Sequence, residues 1–387
     1  MKKNIVILGS TGSIGVNAID VIKQYPEKFN VIAISTNQSI DLIIQQAKEL
    51  KPNYVCVKNK EYLNKISNEL SDPNLEIIFG EDSLAKLSQI EEADYVINAI
   101  VGSAGLKSSI NAVKSGKKLL LANKEPLVMC GDLLMGIAND NNAIILPIDS
   151  EHNAIHQCIE SKNKKHIKKI VLTASGGPFL KRDLNTFNSI SVKDALKHPT
   201  WKMGNKITVD CATMVNKGLE IIEAMHLFEM PSSKVEAIIH PQSLIHSCVF
   251  FNDNSVLTQM SISDMRIPIA YCLAWPDRID SGVSELSLEE SSPLNFEQIE
   301  EKRYPSFFLT KKIAEEGGIY PCILNAANEI AVKSFIEERI KFLDIHTIIE
   351  KTVSNFENSN ASNIDEVLEY DKKARLFANN LVNDIIQ

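Results

Sequence analysis

The stretch Ile5-Val6-Ile7-Leu8-Gly9-Ser10-Thr11-Gly12-Ser13-Ile14-Gly15 decides the fold. An apolar run meets a glycine-rich turn. A segment at 13–25 follows, with Ile14, Ala18, Val21 and Ile22 at helical spacing. Strand, glycine turn and helix in that order are the context of a dinucleotide fingerprint. Glycine lets the backbone approach a pyrophosphate, and the N–H groups at a helix start bind it. The spacing is G-x-x-G-x-x-G rather than G-x-G-x-x-G, so a purely structural turn stays open as the other reading. Outward from there, apolar runs at 31–34, 54–57, 76–79, 95–100, 118–122 and 143–148 alternate with helical segments. Such alternation predicts an α/β domain over 1–149, a Rossmann-like doubly wound parallel sheet with ligands at the carboxyl ends of its strands.

The chain has 387 residues, room for two or three domains with sizeable cores. A formal charge of -8, with no long basic block, argues against nucleic-acid binding. The basic run 162–169 reads as a solvated surface segment. Seven cysteines without C-x-x-C spacing fit a reducing, cytoplasmic setting with neither a disulfide frame nor a zinc ribbon. The first apolar run is too short for a signal-peptide core, and none approaches a membrane span.

Candidate chemistry concentrates in Leu146-Pro147-Ile148-Asp149-Ser150-Glu151-His152-Asn153. If the chain stays extended past Ile148, Asp149 and Glu151 share a face. Two close carboxylates repel unless a proton or cation sits between them, and Mg²⁺ and Mn²⁺ prefer oxygen ligands. A solvated acidic loop is the plain alternative. His152 and His156 have H-x-x-x-H spacing but no supporting cysteine set or E-x-x-H, and read as non-ligand histidines.

After the run 31–34, Ser35-Thr36-Asn37-Gln38-Ser39 supplies hydroxyls and amides where an NAD enzyme usually places an acid for the ribose. That favours the 2′-phosphate of NADP, against an ordinary polar turn. Val101-Gly102-Ser103-Ala104-Gly105 and Asn123-Lys124-Glu125 fall at further strand ends. Lys124 suits a substrate oxygen and Glu125 a cofactor group, or the two are a surface ion pair.

Residues 150–280 read as a central α+β catalytic domain with a second sheet, its strands at 170–173, 235–239, 247–251 and 255–260. A helix is expected at 153–159. Ser175-Gly176-Gly177 can present a hydroxyl and backbone N–H groups to a phosphate, or be only a turn. His198-Pro199-Thr200-Trp201-Lys202-Met203-Gly204 reads as a flap able to exclude water, with core packing of Trp201 as the alternative. On a helix, Asn216, Lys217 and Glu220 share a face. Together they can serve a phosphate at one end and a metal at the other, or form a local salt bridge. Gly218 costs about 1 kcal/mol against alanine inside a helix, which points to close approach of another group. Segments 264–268 and 274–276 read as packing and subunit-contact stretches without chemistry. Residues 281–305 read as a linker. Residues 306–387 read as a C-terminal helical bundle without a catalytic constellation, with Asp344 and Asn363 as N-caps.

Seven motifs in order resemble the 1-deoxy-D-xylulose 5-phosphate reductoisomerase family over nearly the whole chain. They are Gly9-Ser-Thr-Gly-Ser-Ile-Gly15, Leu121-Ala-Asn-Lys-Glu125, Pro147-Ile-Asp-Ser-Glu-His-Asn153, Ser175-Gly-Gly-Pro-Phe179, His198-Pro-Thr-Trp201, Asn216-Lys-Gly-Leu-Glu220 and His240-Pro-Gln-Ser243. The resemblance implies NADPH, a divalent cation (Mg²⁺ or Mn²⁺), a phosphorylated sugar substrate and a homodimer. It implies rearrangement of the carbon skeleton followed by reduction to 2-C-methyl-D-erythritol 4-phosphate. On the matching positions, Asp149, Glu151 and Glu220 would hold the metal. Ser150 and Lys124 would touch the substrate, and Ser175, Asn216 and Lys217 its phosphate. His198 and Trp201 would belong to the flap. Thr11, Gly12, Ser13, Ile14, Asn123, Glu125 and Gly204 would line the cofactor.

Two departures stand out. Cys211 occupies a phosphate-contact position where the family commonly has serine. Asn37-Gln38-Ser39 stands where many relatives have glycine and a basic residue, which bears on the preference for NADPH over NADH. The competing readings are another metal-assisted NADP-dependent dehydrogenase of a phosphorylated hydroxy compound, and a non-catalytic dinucleotide sensor.

Overall fold

The computed structural model describes residues 2–70, 72–159, 164–201, 203–291 and 293–386. Lys162 of the basic run and Lys202 of the flap lie outside them. The chain opens with β1 (Lys3–Leu8), α1 (Ser13–Lys23), β2 (Phe29–Thr36), α2 (Ile40–Leu50), β3 (Tyr54–Val57), α3 (Leu63–Glu69) and β4 (Glu76–Phe79). Next come α4 (Ser83–Leu87), β5 (Tyr95–Asn98), α5 (Leu106–Lys114), β6 (Lys118–Leu121), α6 (Glu125–Asp140) and β7 (Ile144–Pro147). The middle holds α7 (Ser150–Cys158), β8 (Ile167–Ala174), α8 (Val192–Ala195), α9 (Asn205–Thr213) and α10 (Val215–Phe228). Then follow β9 (Val235–Ile239), β10 (Ile245–Phe251), β11 (Val256–Met260) and α11 (Arg266–Ala274). The last helices are α12 (Pro305–Glu316), α13 (Tyr320–Ile336), α14 (Asp344–Ser354) and α15 (Ile364–Ile386).

Two compact units result. The first comprises Met1–Pro126, Leu134–Asn153 and Asp264–Ser284. Among the described residues it holds a seven-stranded sheet in the order β4-β3-β2-β1-β5-β6-β7. Every pairing in it is parallel. Parallel strands covered on both faces need near-continuous apolar runs; Ile5, Val6, Ile7 and Leu8 of β1 are fully buried. Strand order reverses beside β1, the switch point where open α/β sheets bind ligands. Helix α11 packs on α1, and its Ile269 and Leu273 join the core containing Ile5, Ile7, Ile97 and Ile148. Arg266 at its start pairs with Asp264 at 2.8 Å and Asp20 at 3.1 Å. The segment 264–280 thus belongs to the first unit, not with 150–263 as the sequence division has it.

The second unit comprises Leu127–Leu133, Ala154–Ser263 and Glu285–Gln387. Its four-stranded sheet runs β11-β10-β8-β9 among the described residues. Strand β10 is antiparallel to β11 and β8, and β8 is parallel to β9. Helix α10 crosses α12 at Gly218, where an added Cβ would lie 2.5 Å from Thr310 Cβ. That close approach is the one the mid-helix glycine implied. The stretch expected as a linker is partly built in: Glu297 forms a β-bridge with Ile239, and Lys181 pairs with Glu297 at 2.9 Å. Among the last helices, Asn363 Oδ1 accepts the Glu366 N–H at 3.0 Å, an N-cap as expected. Asp344 is not a cap. It is the first residue of α14, and its carboxylate accepts the Lys341 N–H at 2.7 Å.

One local expectation needs correcting. The chain does not stay extended through Glu151. Strand β7 ends at Pro147, one last ladder bond runs from Ile148 N–H to Leu121 O at 2.8 Å, and α7 begins at Ser150. Asp149 Oδ1 accepts the Glu151 N–H at 3.2 Å and so starts the helix in the manner of a cap.

Candidate active site

In the first unit, the glycine loop is pinned to the end of β2. Gly9 N–H donates to Ser35 Oγ at 2.9 Å, and the Thr11 and Thr36 hydroxyls meet at 2.6 Å. Buried Ser10 donates to Gln46 Oε1 at 2.7 Å. Gly9 has φ +83°, and a Cβ on Gly15 would lie 2.4 Å from Gly9 O, so this tight turn requires glycine at both positions. No side chain caps α1 at Gly12. Gly12 and Ser13 are exposed, with Thr11 and Ile14 half-buried. The helix start is therefore open to an anion. Asn37, Gln38 and Ser39 are exposed just beyond β2. After β6, the Asn123 side-chain amide is buried with no partner. A buried amide donor without an acceptor is rare, and a ligand carbonyl or phosphate oxygen answers it. These features fit a dinucleotide.

At the ends of β6 and β7, Lys124 Nζ pairs with Asp149 Oδ2 at 2.7 Å, both side chains being under a tenth exposed. Asp149 Oδ1 accepts from His152 Nδ1 at 2.9 Å. That contact fixes the proton on Nδ1, since a carboxylate can only accept. Ser150 Oγ donates to Glu151 Oε2 at 2.5 Å. Glu125 is buried in the first turn of α6, where the helix dipole favours an acid.

In the second unit, β8 delivers Ser175. His198 Nδ1 accepts the N–H groups of Trp201 at 3.0 Å and Thr200 at 3.3 Å. Its proton therefore sits on Nε2, which donates to Ser175 Oγ at 3.0 Å. Burial pushes the His198 pKa down to about 4, so this neutral tautomer persists at neutral pH. Gly177 N–H also donates to Ser175 Oγ, at 3.1 Å. With two donors upon it, the Ser175 oxygen has its own proton left to give. Gly176 and Gly177 have φ +80° and +66°, and a Cβ at Gly177 would lie 2.7 Å from Cys211 O, so the serine turn is seated on α9. Half-buried Cys211 is on that helix. Trp201 lies beside His246, ring centroids 6.1 Å apart. Gly204 is the residue before α9, with nothing within 4 Å of an added Cβ.

Helix α9 ends at Met214 in the left-handed region (φ +60°), which turns the chain directly into α10. There Asn216 Nδ2 donates to Glu220 Oε1 at 2.5 Å, and Lys217 Nζ pairs with Glu220 Oε2. Lys217 and Glu220 are 3% and 1% exposed, too deep to be a surface bridge. Asp149 and Glu151 of the first unit and Glu220 of the second supply carboxylate oxygens, the donors a hard divalent cation takes. The role of His152 as the partner of Asp149 was missed in the sequence. Its signal, an i,i+3 spacing, shows only once the helix is known to start at Ser150.

A dinucleotide-type sheet, a lysine-held buried acid and a serine hydroxyl held by two donors define a dinucleotide-fold oxidoreductase. Three family models match the chain. The model for 1-deoxy-D-xylulose 5-phosphate reductoisomerase matches residues 5–131, and two for C-terminal domains of that enzyme match 145–228 and 260–377. A 1-deoxy-D-xylulose 5-phosphate reductoisomerase of Chlorobium phaeobacteroides is 43% identical over 98% of this chain and 100% of its own length. One of Paraburkholderia xenovorans is 44% identical over 98% of this chain and 95% of its own. The Zymomonas mobilis enzyme in complex with NADPH has a TM-score of 0.92 at 37% identity, covering 99% of each chain. A reductoisomerase solved with NADPH, fosmidomycin and magnesium has a TM-score of 0.93 at 38% identity, covering 98% of each chain. The chain belongs to the 1-deoxy-D-xylulose 5-phosphate reductoisomerase family.

Proposed function

We propose that this chain converts 1-deoxy-D-xylulose 5-phosphate to 2-C-methyl-D-erythritol 4-phosphate, with NADPH and Mg²⁺ or Mn²⁺, in isoprenoid precursor biosynthesis. The observation that supports the reading is a pair of buried, doubly held carboxylates, Asp149 between Lys124 and His152 and Glu220 between Asn216 and Lys217. Asp149, Glu151 and Glu220 would hold the cation. Thr11, Gly12, Ser13, Ile14, Asn37, Gln38, Ser39, Asn123, Glu125 and Gly204 would serve the dinucleotide. When bound, the cation supplies Lewis-acid polarisation of the substrate carbonyl and hydroxyl oxygens, and the nicotinamide supplies a hydride.

The chain's own residues do the rest. Lys124 and His152 hold Asp149 by both oxygens, and Asn216 and Lys217 hold Glu220 likewise. The carboxylates are oriented before any ligand arrives, which removes reorganisation from the reaction. Ser175 donates its hydroxyl proton to a phosphate oxygen, and Cys211, Asn216 and Lys217 complete the phosphate pocket. Lys124 and Ser150 contact the sugar. His198 and Trp201 act as a flap that keeps water from the reactive carbonyl.

The test is NADPH oxidation with 1-deoxy-D-xylulose 5-phosphate, with and without a chelator, for the unchanged chain and Asp149→Asn. Both chelation and the substitution are expected to lower turnover by about 10²-fold or more. Undiminished turnover with the metal stripped sinks the reading. An unbranched polyol phosphate as product would favour the dehydrogenase of another phosphorylated hydroxy compound. NADH assayed alongside measures the cofactor preference that Asn37-Gln38-Ser39 leaves to amides and hydroxyls.

The working form is a homodimer. Among the described residues, strand β11 is an edge of its sheet, with Val256 and Leu257 44% and 47% exposed. An exposed apolar edge strand is a template for another chain unless covered, and a second copy is the cover we assign. Sedimentation of Leu257→Glu should show a shift toward monomer, and an unchanged dimer would move the interface elsewhere. No helix among the described residues is long and apolar enough to cross a membrane. Seven cysteines without C-x-x-C spacing support a cytoplasmic location, which cell fractionation checks.

A further inference from the structure

None of the residues assigned above lies on the C-terminal helices, yet one of their side chains contacts α9, the helix that carries Cys211. Asn328 of α13 is fully buried, and its Nδ2 donates to Asp210 Oδ1 at 2.8 Å. Asp210 lies on α9, is 1% exposed, and has its other oxygen paired with Lys206 Nζ at 2.8 Å. A buried carboxylate needs its lone pairs satisfied, and here one oxygen takes an ammonium and the other an amide. Asp210 also fixes the orientation of the amide. Turned over, Asn328 would set its Oδ1 against a carboxylate oxygen. As placed, that Oδ1 is buried without a partner, so the Asp210 contact alone selects the orientation.

What α9 carries gives the contact its consequence. The residue after Asp210 is Cys211, whose carbonyl backs the Gly177 turn beside Ser175. Three residues further on, Met214 hands the chain directly to Asn216 and Lys217. A shift of this nine-residue helix moves both sides of the phosphate pocket together. Asn328 is itself anchored one residue from Glu329, which pairs with Arg375 of α15 at 2.7 Å.

We infer that Asn328 is a positioning residue for substrate phosphate, acting through Asp210 to set where α9 presents Cys211 and the serine turn. This rests on the phosphate pocket assigned above. Asn328→Ala is expected to raise KM for the phosphorylated substrate and the inhibition constant of inorganic phosphate in parallel, by about five- to tenfold. Turnover number and KM for NADPH should stay within about twofold. A merely structural loss would lower the active fraction or disturb NADPH equally, and that outcome overturns the inference. Ser175→Ala is the control for the pocket. If it weakens phosphate while Asn328→Ala does not, the inference alone fails. If Ser175→Ala leaves phosphate inhibition unchanged, pocket and inference fail together. Should Asn328→Ala not fold, the exchange Asp210→Asn with Asn328→Asp decides. It restores one amide facing one carboxylate, so phosphate inhibition should recover relative to Asn328→Asp alone, in which two carboxylates face each other. No recovery overturns the inference.

Discussion

A single atom separates Cys211 from serine, and hydrogen-bond strength makes that atom matter. The residue is half-buried on α9, and its carbonyl backs the Gly177 turn. Sulfur is a weak donor, so a phosphate oxygen there forgoes a contact of about 1 kcal/mol. Cys211→Ser should keep turnover and lower KM for the phosphorylated substrate by about fivefold, as steady-state kinetics would show. A clearly raised KM would remove Cys211 from the pocket. The candidate residues themselves were legible because chemistry restricts residue type. Carboxylates serve a hard cation, and a hydroxyl and an ammonium serve a phosphate. Their positioning partners were not legible. Asn328 lies 118 residues from Asp210, and nothing in the order of residues announces that a buried amide meets a buried acid. Gln46 holding Ser10 is the same case at shorter range.

At the scale of elements, α10 and α12 touch at Gly218 and Thr310. Gly218→Ala gains about 1 kcal/mol of helix propensity. Its Cβ, however, would sit 2.5 Å from Thr310 Cβ, and neither backbone can yield cheaply. Overpacking of this kind costs about 1–3 kcal/mol. The net expectation is a lower thermal midpoint, partly restored by Thr310→Gly in the same chain; a raised midpoint would show that the crossing is loose. Elements were largely readable in advance, because parallel strands must be apolar throughout and surface helices must be amphipathic. The strand at 235–239 and the bundle helices fell within a few residues of their places. What failed was local and had local causes. The extended run gives way after Ile148 to a helix start at which Asp149 accepts the Glu151 N–H, so Asp149 and Glu151 approach through a helix start. Asp344 has a capping residue's chemistry but sits one position inside its helix.

Across the whole molecule, half-buried histidines tie stability to pH. Burial lowers the pKa values of His198, His226 and His346, with Asp132 partly opposing the effect at His226 and Glu350 at His346. Each binds its proton less readily folded than unfolded. Above about pH 6.5 both states are neutral and the stability is fully present. As pH falls below that value the unfolded chain takes up protons first, and stability is lost toward the folded-state value, about 4 for His198. The thermal midpoint should decline steadily from pH 7 to pH 5, before most carboxylates titrate, and His198→Gln should flatten the decline. A midpoint that does not move over that range would mean these rings protonate freely in the folded chain.

The division into units was only partly visible in the sequence, because α11 reads as an ordinary apolar segment and its partner α1 lies at the other end of the chain. The consequence concerns synthesis. The sheet that opens the chain does not complete its core until Ile269 and Leu273 of α11 arrive. On the ribosome the first strands wait for more than a hundred further residues before they can be sealed. The unit begun first thus finishes late, its apolar face exposed meanwhile to chaperones. A stop codon just past β7 would release a nucleotide fold missing one of its walls.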